Sequence, residues 1–115
     1  MIIILNKSEI EMPLTLKSMD YFTTALRHGS IVKAAADLNI AASAVSSAID
    51  QVEAEFDLTL VIRQRARGIK PTSAGREVAR KCERLLEDYK SLVIEGKDLK
   101  HSQSGNLRIG YYAPI

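Results

Sequence analysis

One run of basic side chains without any acid is the part of the sequence whose residue types most clearly indicate a chemistry. Residues 58–76 carry five positive charges and no negative one, whereas residues 1–57 carry a net charge of −4 and residues 77–115 a net charge of +1. A solvated surface loop is one explanation of such a block. Contact with a polyanion is the other, because Lys and Arg side chains that neutralise phosphates release condensed counterions. The five residues are Arg63, Arg65, Arg67, Lys70 and Arg76.

Composition and motifs exclude several other classes of protein. The chain has 115 residues, of which 46% are hydrophobic, so we expect one domain or a small domain with an extension. No segment approaches the roughly 18 apolar residues of a membrane span, and the single cysteine, Cys82, favours a reducing, cytoplasmic location. His28 and His101 lie far apart, and the chain has no P-loop or metalloprotease motif. We therefore expect no enzyme, no cofactor and no metal site.

Three helices are predicted before the basic block. The first spans residues 16–28 and ends at Gly29, and its apolar face is Leu16, Met19, Phe22 and Leu26. The second, of about nine residues, has Ser30 as N-cap and ends at Asn39. The third runs from about Ser43 to Phe56, with a predicted buried stripe of Val45, Ile49, Val52 and Phe56. Short connections between these helices indicate a helix-turn-helix.

Residues 58–72 have the alternation of a two-stranded hairpin. Leu58, Leu60 and Ile62 alternate with Thr59 and Val61, and Gly68 marks the turn. Arg63, Arg65 and Arg67 would share one face if the strand stays regular. The hairpin would form a wing with an arginine-rich tip beside the three helices.

A long amphipathic helix is predicted from Ser73 to about Lys100. Apolar residues recur in heptads along it, and a second apolar column lies beside the first. For the first two turns, packing on the chain's own domain is an alternative, whereas from Tyr89 onward we favour contact with a second chain. The residues predicted to mediate dimerisation are Val78, Cys82, Leu85, Leu86, Tyr89, Leu92, Val93 and Leu99. Cys82 is also expected to be a buried apolar residue and not a nucleophile.

The two ends of the chain complete the predicted domain organisation. Residues 1–15 form an N-terminal extension, residues 16–72 the winged helix-turn-helix, and residues 73–104 the long helix with a short polar linker. Residues 105–115 read as the first strand of a truncated domain, since a lone strand is not stable by itself. The fold class expected is mainly α, with a three-helix core, a β-hairpin wing and a long linker helix.

Five short motifs in this order resemble the LysR-type transcriptional regulators. They are a Phe-centred first helix, a Gly-Ser followed by an alanine pair, a recognition helix with a central Ser46, a Thr-x-Ala-Gly signature and a closing Gly-Asn-Leu-Arg-Ile-Gly. The resemblance implies a winged helix-turn-helix that binds double-stranded DNA as a homodimer through antiparallel linker helices. It also implies a roughly palindromic site, a possible tetramer in a longer protein, and a small-molecule effector bound only by a domain absent from this chain.

The candidate DNA contacts follow from side-chain chemistry on the third helix and the wing. Bidentate base reading needs Arg, Lys, Asn or Gln, and only Gln51 offers that on the helix. The serines suit phosphate oxygens, the wing arginines suit a narrow minor groove, and Ser30 and Thr72 can cap helices beside a phosphate. The full set is Ser30, Lys33, Ala42, Ser43, Ser46, Ser47, Gln51, Arg63, Arg65, Arg67 and Thr72.

Several alternatives stay open at this point. For Asp50, pairing with an Arg or exposure to solvent is favoured over accepting from cytosine. For Arg63, a salt bridge to a helix acid is nearly as well supported as a DNA contact. Two alternatives to a LysR-type regulator also stay open. The chain would then be a different winged-helix regulator, of the molybdate-responsive type, or mainly a dimerisation module formed by residues 77–100.

Overall fold

A computed structural model describes residues 14–105, with side chains described to His101. Four helices and two strands follow one another along it. They are α1 (Leu16–His28), α2 (Ile31–Leu38), α3 (Ala42–Phe56), β1 (Val61–Gln64), β2 (Gly68–Pro71) and α4 (Ser73–Gly105). The chain divides into two compact units, the first ending at Glu83 and the second beginning at Arg84. The predicted N-terminal extension before residue 14 and the predicted strand after residue 105 lie outside the described residues.

Local capping explains where α1 and α2 begin and where the first three helices end. The Ser30 hydroxyl accepts a hydrogen bond from the backbone N–H of Lys33 at 3.1 Å, which confirms it as the N-cap of α2. Helices α1 and α2 end at Gly29 and Asn39, as the sequence predicts, and both residues take left-handed conformations there. Asp57 does the same after α3, with φ of 53°. The predicted helix bounds therefore agree with the structure, except that α3 begins one residue early, at Ala42.

The hydrophobic core lies where α1, α2 and α3 meet. Its fully buried large side chains include Phe22 from α1, three residues of the predicted α3 stripe, and Leu60 from the segment before the wing. Phe56, the fourth residue of that predicted stripe, is 44% exposed. The prediction was wrong for Phe56 because the helix ends there and leaves no neighbouring element to cover the ring. The three buried stripe residues are Val45, Ile49 and Val52.

The wing is shorter than the hairpin predicted over residues 58–72. Strand β1 pairs antiparallel with β2, with Val61 opposite Pro71 and Gln64 opposite Gly68. The segment before Val61 is not a strand; within it Leu60 is buried, whereas Leu58 is about half exposed. Ile62 is also about half exposed, because Val61 and Ile69 form the buried face of the hairpin. Burial over residues 58–62 therefore does not alternate as predicted, because the adjacent residues Leu60 and Val61 are both buried and Leu58 and Ile62 are both exposed.

Two close backbone approaches fix the wing against the helices. Gly68 has φ of +85°, and a Cβ there would overlap the Gly29 carbonyl oxygen, which accepts from the N–H of Ile69 at 3.0 Å. A Cβ on Gly75, in the first turn of α4, would overlap the Leu60 carbonyl oxygen. Only glycine fits either position without displacing backbone. These contacts give physical roles to the Gly-Ser and Thr-x-Ala-Gly motifs.

Helix α4 continues further than the sequence predicts. It spans 33 residues from Ser73 to Gly105, so the backbone predicted as a polar linker over residues 102–105 is helical. Once a helix exists, each added residue gains a hydrogen bond and polar residues such as Ser and Gln cost less than about 0.7 kcal/mol. None of the helices in the described part of the chain is long and apolar enough to cross a membrane.

Side-chain exposure differs along the predicted dimerisation seam of α4. Cys82 is only 5% exposed, so this position packs within its own unit, the alternative left open for the first turns of the helix. Val78 is half-buried. Further along, Leu85, Tyr89, Leu92 and Leu99 are exposed, and Leu86 and Val93 are half-buried.

Candidate nucleic-acid interface

A stripe of small polar side chains runs along one face of α3. Ser43, Ser46, Ser47 and Asp50 follow the i, i+3, i+4, i+7 spacing that places residues on a single helix face. Ser43, Ser47 and Asp50 are exposed, Ser46 is half-buried, and Ala42 is exposed beside them. The helix itself therefore presents a narrow surface of short polar side chains. We call these four residues the polar stripe.

Arg63 reaches from strand β1 of the wing onto the polar stripe. Its Nη1 donates to the Ser46 hydroxyl oxygen at 3.0 Å, and its Nη2 donates to the Asp50 carboxylate at 3.1 Å. The Arg-paired alternative for Asp50 and the salt-bridge alternative for Arg63 are both confirmed by this contact. The pair links the wing to the recognition helix at the surface, because both side chains remain substantially exposed.

Gln51, the predicted base reader, already has an intramolecular partner. Its side-chain oxygen accepts a hydrogen bond from the Ser18 hydroxyl of α1, and Ser18 is buried. The two residues lie in a groove of about 410 Å³ between α1 and α3, which Lys17, Tyr21 and Ser47 also line. The acceptor half of the Gln51 amide therefore holds two helices together.

The wing tip departs from the regular strand that the sequence analysis assumed. Strand β1 ends at Gln64, and residues 65–67 form a turn that is closed by a 3.0 Å bond from the Arg67 N–H to the Gln64 carbonyl. Ala66 has a left-handed φ of 63°. The expectation that Arg63, Arg65 and Arg67 share one strand face was wrong, because the chain reverses after Gln64. Arg65 and Arg67 are instead exposed in the turn.

A cleft of about 500 Å³ lies between the wing and the start of α2. Ser30 and Val32 line it from the helix, and Arg63 and Arg65 line it from the wing. Val32 is 70% exposed, and Lys33 beside it is exposed as well. The structure thus brings Ser30 and two of the wing arginines together at one end of a helix.

The Thr72 hydroxyl has a structural role, because it accepts one hydrogen bond and donates another within the protein. The oxygen accepts from the Gly75 N–H at 2.9 Å, which caps α4, and the hydroxyl donates to the Thr59 carbonyl at 2.8 Å. Capping by Thr72 is therefore confirmed. With its proton already donated inside the protein, this hydroxyl is a poorer phosphate donor than the sequence suggests.

Glu53 and Ser18 have roles that sequence reasoning missed. The Glu53 carboxylate accepts from the N–H groups of Leu60 and Val61 at 2.8 and 3.2 Å, so it holds the chain where the wing begins. Ser18 positions Gln51. An acid one turn before the end of α3, followed by an apolar run, was the available signal for Glu53. No local signal exists for Ser18, whose partner lies 33 residues away.

The buried thiol of Cys82 lies in surroundings that disfavour its ionised form. Burial, reinforced by the nearby Glu83 carboxylate, raises the pKa of the Cys82 thiol above its ordinary value. A raised pKa disfavours the thiolate, which is the nucleophilic form. Within residues 14–105, no group of three or more His, Cys, Asp or Glu side chains is placed to hold a metal ion.

The described residues form three helices, a two-stranded wing bonded to the third helix, and a long following helix. This arrangement defines a winged helix-turn-helix protein. Residues 16–76 match the family model described as bacterial regulatory helix-turn-helix protein, lysR family. The chain belongs to this family, as its motifs suggest. The match covers the whole of α1 to β2 and the first turn of α4.

Curated relatives and solved structures agree with this assignment. The chain is 29% identical over 87% of its length to the uncharacterized regulator YvbU of Bacillus subtilis, and 36% identical over 84% to the nitrogen assimilation regulatory protein nac of Klebsiella aerogenes. It spans about a third of the length of either protein, 34% and 32% respectively. The DNA-binding domain of BenM, solved in complex with catB site 1 DNA, superposes with a TM-score of 0.72 at 28% identity, over 80% of this chain and 99% of that one.

Proposed function

We propose that this chain binds double-stranded DNA as the DNA-binding part of a bacterial transcriptional regulator. The observation that carries the proposal is the joint exposure of the polar stripe and the wing arginines on a LysR-family helix-turn-helix. The DNA complex of the similar BenM domain supports it. Neither the site nor the family indicates a catalytic role.

Helix α3 and the wing would make different kinds of DNA contact, because their side chains differ in chemistry. Helix α3 would enter the major groove with Ser43, Ser46 and Ser47 donating to phosphate oxygens or single base edges, and with Ala42 beside a thymine methyl. The exposed turn arginines, Arg65 and Arg67, would lie along the backbone or in a narrow minor groove. Ser30 and Lys33, at the start of α2, would add phosphate contacts.

Dimerisation through α4 would give the protein two such surfaces. Leu85, Tyr89, Leu92 and Leu99 are large apolar residues at heptad spacing, and each is about half exposed or more. Exposed apolar residues in a heptad pattern are stabilised by a second helix. Two recognition helices related by a twofold axis would select an inverted repeat. Effector binding would belong to sequence outside this chain.

Fluorescence anisotropy with labelled duplexes at several salt concentrations tests DNA binding directly. We expect micromolar or tighter binding at low salt that weakens steeply as salt is added. Replacing Arg65 and Arg67 together with Ala should lower the slope of log K against log salt by about two per chain, since each phosphate contact contributes about 0.9. The matched control replaces Lys90 and Lys97, two exposed lysines of α4, with Ala, and should leave the slope unchanged.

A dimerisation module without DNA-binding activity is the second candidate, and the exposed apolar face of α4 favours it. The same samples distinguish the two functions when sedimentation is measured alongside anisotropy. A dimer with no salt-sensitive affinity for any duplex would support the second candidate and refute the first. Equal loss of slope in both double variants would show that net charge, and not the wing, determines binding.

A further inference from the structure

Helix α3 has the wrong charge for a helix that enters a DNA groove. Residues 42–56 contain three acids, Asp50, Glu53 and Glu55, and no Lys or Arg. Glu53 is committed to the two N–H groups at the start of the wing, but Asp50 lies on the exposed polar stripe. Phosphates would repel it, so a helix of this composition needs a cation from another element.

Arg63 is the cation that the structure places on the polar stripe. Its guanidinium bonds to Ser46 and Asp50 at 3.0 and 3.1 Å, so it lies across one turn of the exposed helix face. These contacts use two of the five N–H donors of an arginine. Three donors are left for a further partner, and the side chain is 44% exposed. Two parallel N–H groups are what the O6 and N7 atoms of guanine accept in the major groove.

Because Arg63 is paired with the Asp50 carboxylate, we expect it to determine specificity and to contribute little to overall affinity. A guanidinium beside a carboxylate has little net charge, so this pair adds little to the attraction that every duplex exerts. Its remaining donors still demand acceptors in a fixed geometry, because Ser46 and Asp50 hold the guanidinium plane in place. Arg65 and Arg67 have no acid among the ion pairs found in residues 14–101, and they are free to act as point charges toward phosphate.

We propose that Arg63 reads a guanine in each half-site and that Asp50 is the positioning residue that holds it over the recognition helix. This inference rests on the proposed DNA-binding function. It assigns base reading to a wing residue, in place of Gln51, whose amide oxygen is bonded to Ser18. The helix supplies the carboxylate and the hydroxyl, and the wing supplies the base-reading donor.

Selection of duplexes from a random library by the 115-residue chain tests the proposal, with sequencing of the bound pool. We expect the unchanged protein to prefer guanine at one position of each half-site. Arg63→Lys keeps the charge but loses the planar fork, so preference at that position should fall by about tenfold, the lower part of the range for a bidentate contact. Preferences elsewhere should persist. Arg65→Lys is the matched control and should leave the guanine preference intact.

Asp50→Ala separates positioning from base reading. Without its carboxylate, Arg63 is a mobile and unpaired cation, so guanine preference should fall while affinity for random duplexes rises. The salt slope should then increase by about one per chain. Loss of an exposed carboxylate would by itself raise affinity for every duplex, so the fall in guanine preference is the readout that is specific to positioning. Alanine is favourable in an exposed helix, so loss of folding is not expected, and circular dichroism checks this directly.

The outcomes separate this inference from the proposed function. Retention of every base preference in Arg63→Lys, or equal weakening of all positions in it, would overturn the assignment of Arg63. Retention of the full guanine preference in Asp50→Ala would overturn the positioning role of Asp50. If the unchanged protein enriches no sequence and binds no duplex, the proposed function itself fails, and the assignment of Arg63 fails with it.

Discussion

The two units of the chain differ in how far their large apolar side chains are buried. In the unit that ends at Glu83, Phe22, Ile49 and Leu60 are fully buried, and none of the buried side-chain polar atoms among the described residues is without a hydrogen-bond partner. In the α4 segment that begins at Arg84, Leu92, Ile94 and Leu99 are 60 to 65% exposed. The first unit therefore contains the interactions that stabilise it. The described residues of the second unit form one helix with large apolar side chains exposed, and a helix without tertiary packing is marginal in water.

This difference indicates two separate sources of stability. Burial of apolar area stabilises the winged helix within a single chain, at about 25 cal/mol for each Å² removed from water. For the helix from Arg84 onward, association with a second chain would supply the same term, and its stability would then depend on concentration. Substitutions in the first unit should therefore change the free energy of unfolding. Substitutions in the second should mainly change the affinity of association.

The largest effect is expected from Phe22→Ala, which removes the ring at the centre of the first unit. Truncation of a fully buried phenylalanine typically lowers the free energy of unfolding by about 3 to 5 kcal/mol. Thermal unfolding followed by circular dichroism measures the loss. Leu92→Ala is the control in the second unit and, at concentrations too low for association, should change the free energy of unfolding by less than about 0.5 kcal/mol. A similar loss in both variants would refute the distinction between the units.

The converse experiment replaces Leu85 and Leu92 with Asp. Two carboxylates on the predicted seam would have to be buried in a dimer, so the dissociation constant should rise at least about a hundredfold, equivalent to about 2.7 kcal/mol. Sedimentation equilibrium measures this change. The unfolding of the first unit should be preserved, and Lys90→Asp, on an exposed position outside the seam, should leave association unchanged. A dimer of undiminished stability would exclude the seam as the interface.

Sequence reasoning predicted the elements well because helix bounds depend on local signals. Periodicity and the caps at Ser30, Gly29 and Asn39 are encoded within a few residues of each helix end. The wing was predicted less well, since alternation has two possible phases and the register was set by backbone contacts to distant residues, Gly29 and Leu60. The positions of Arg65 and Arg67 depended on where β1 ended, which no local pattern in the arginine-rich run specifies.

The candidate interface likewise combines features that depend on local sequence with features that depend on distant residues. The polar stripe follows from helical spacing alone, and the pairing of Asp50 with Arg63 was one of the alternatives that charge and position allowed. The bond between Ser18 and Gln51 was not predictable, because it joins residues on different helices. The sequence predicts base reading by Gln51 from its side-chain chemistry alone, which carries no information about its bond to Ser18.

A smaller effect is expected from Thr72→Ala at the boundary between the wing and α4. The substitution removes the cap of α4 and the hydrogen bond to the Thr59 carbonyl, so the free energy of unfolding should fall by about 1 to 2 kcal/mol. Denaturant titration measures it. Thr59→Ala is the matched control because only the backbone carbonyl of Thr59 takes part in that bond. Equal losses in the two variants would show that removal of a threonine side chain in general, and not loss of the cap, is responsible.

The smallest effect should have the opposite sign. Gly96 lies within α4, and a Cβ there would meet no atom within 4 Å, so Gly96→Ala should stabilise the helix by about 0.5 to 1 kcal/mol through propensity alone. The gain should appear as higher helical content of the second unit at low protein concentration, measured by circular dichroism. The same substitution at Gly75, in the same helix, would place a Cβ against the Leu60 carbonyl and should destabilise the first unit by about 1 to 3 kcal/mol. One chemical change would thus strengthen the second unit, where space is open, and weaken the first, where backbone is close. If both glycine substitutions stabilise the protein, the close approach at Gly75 does not constrain the fold.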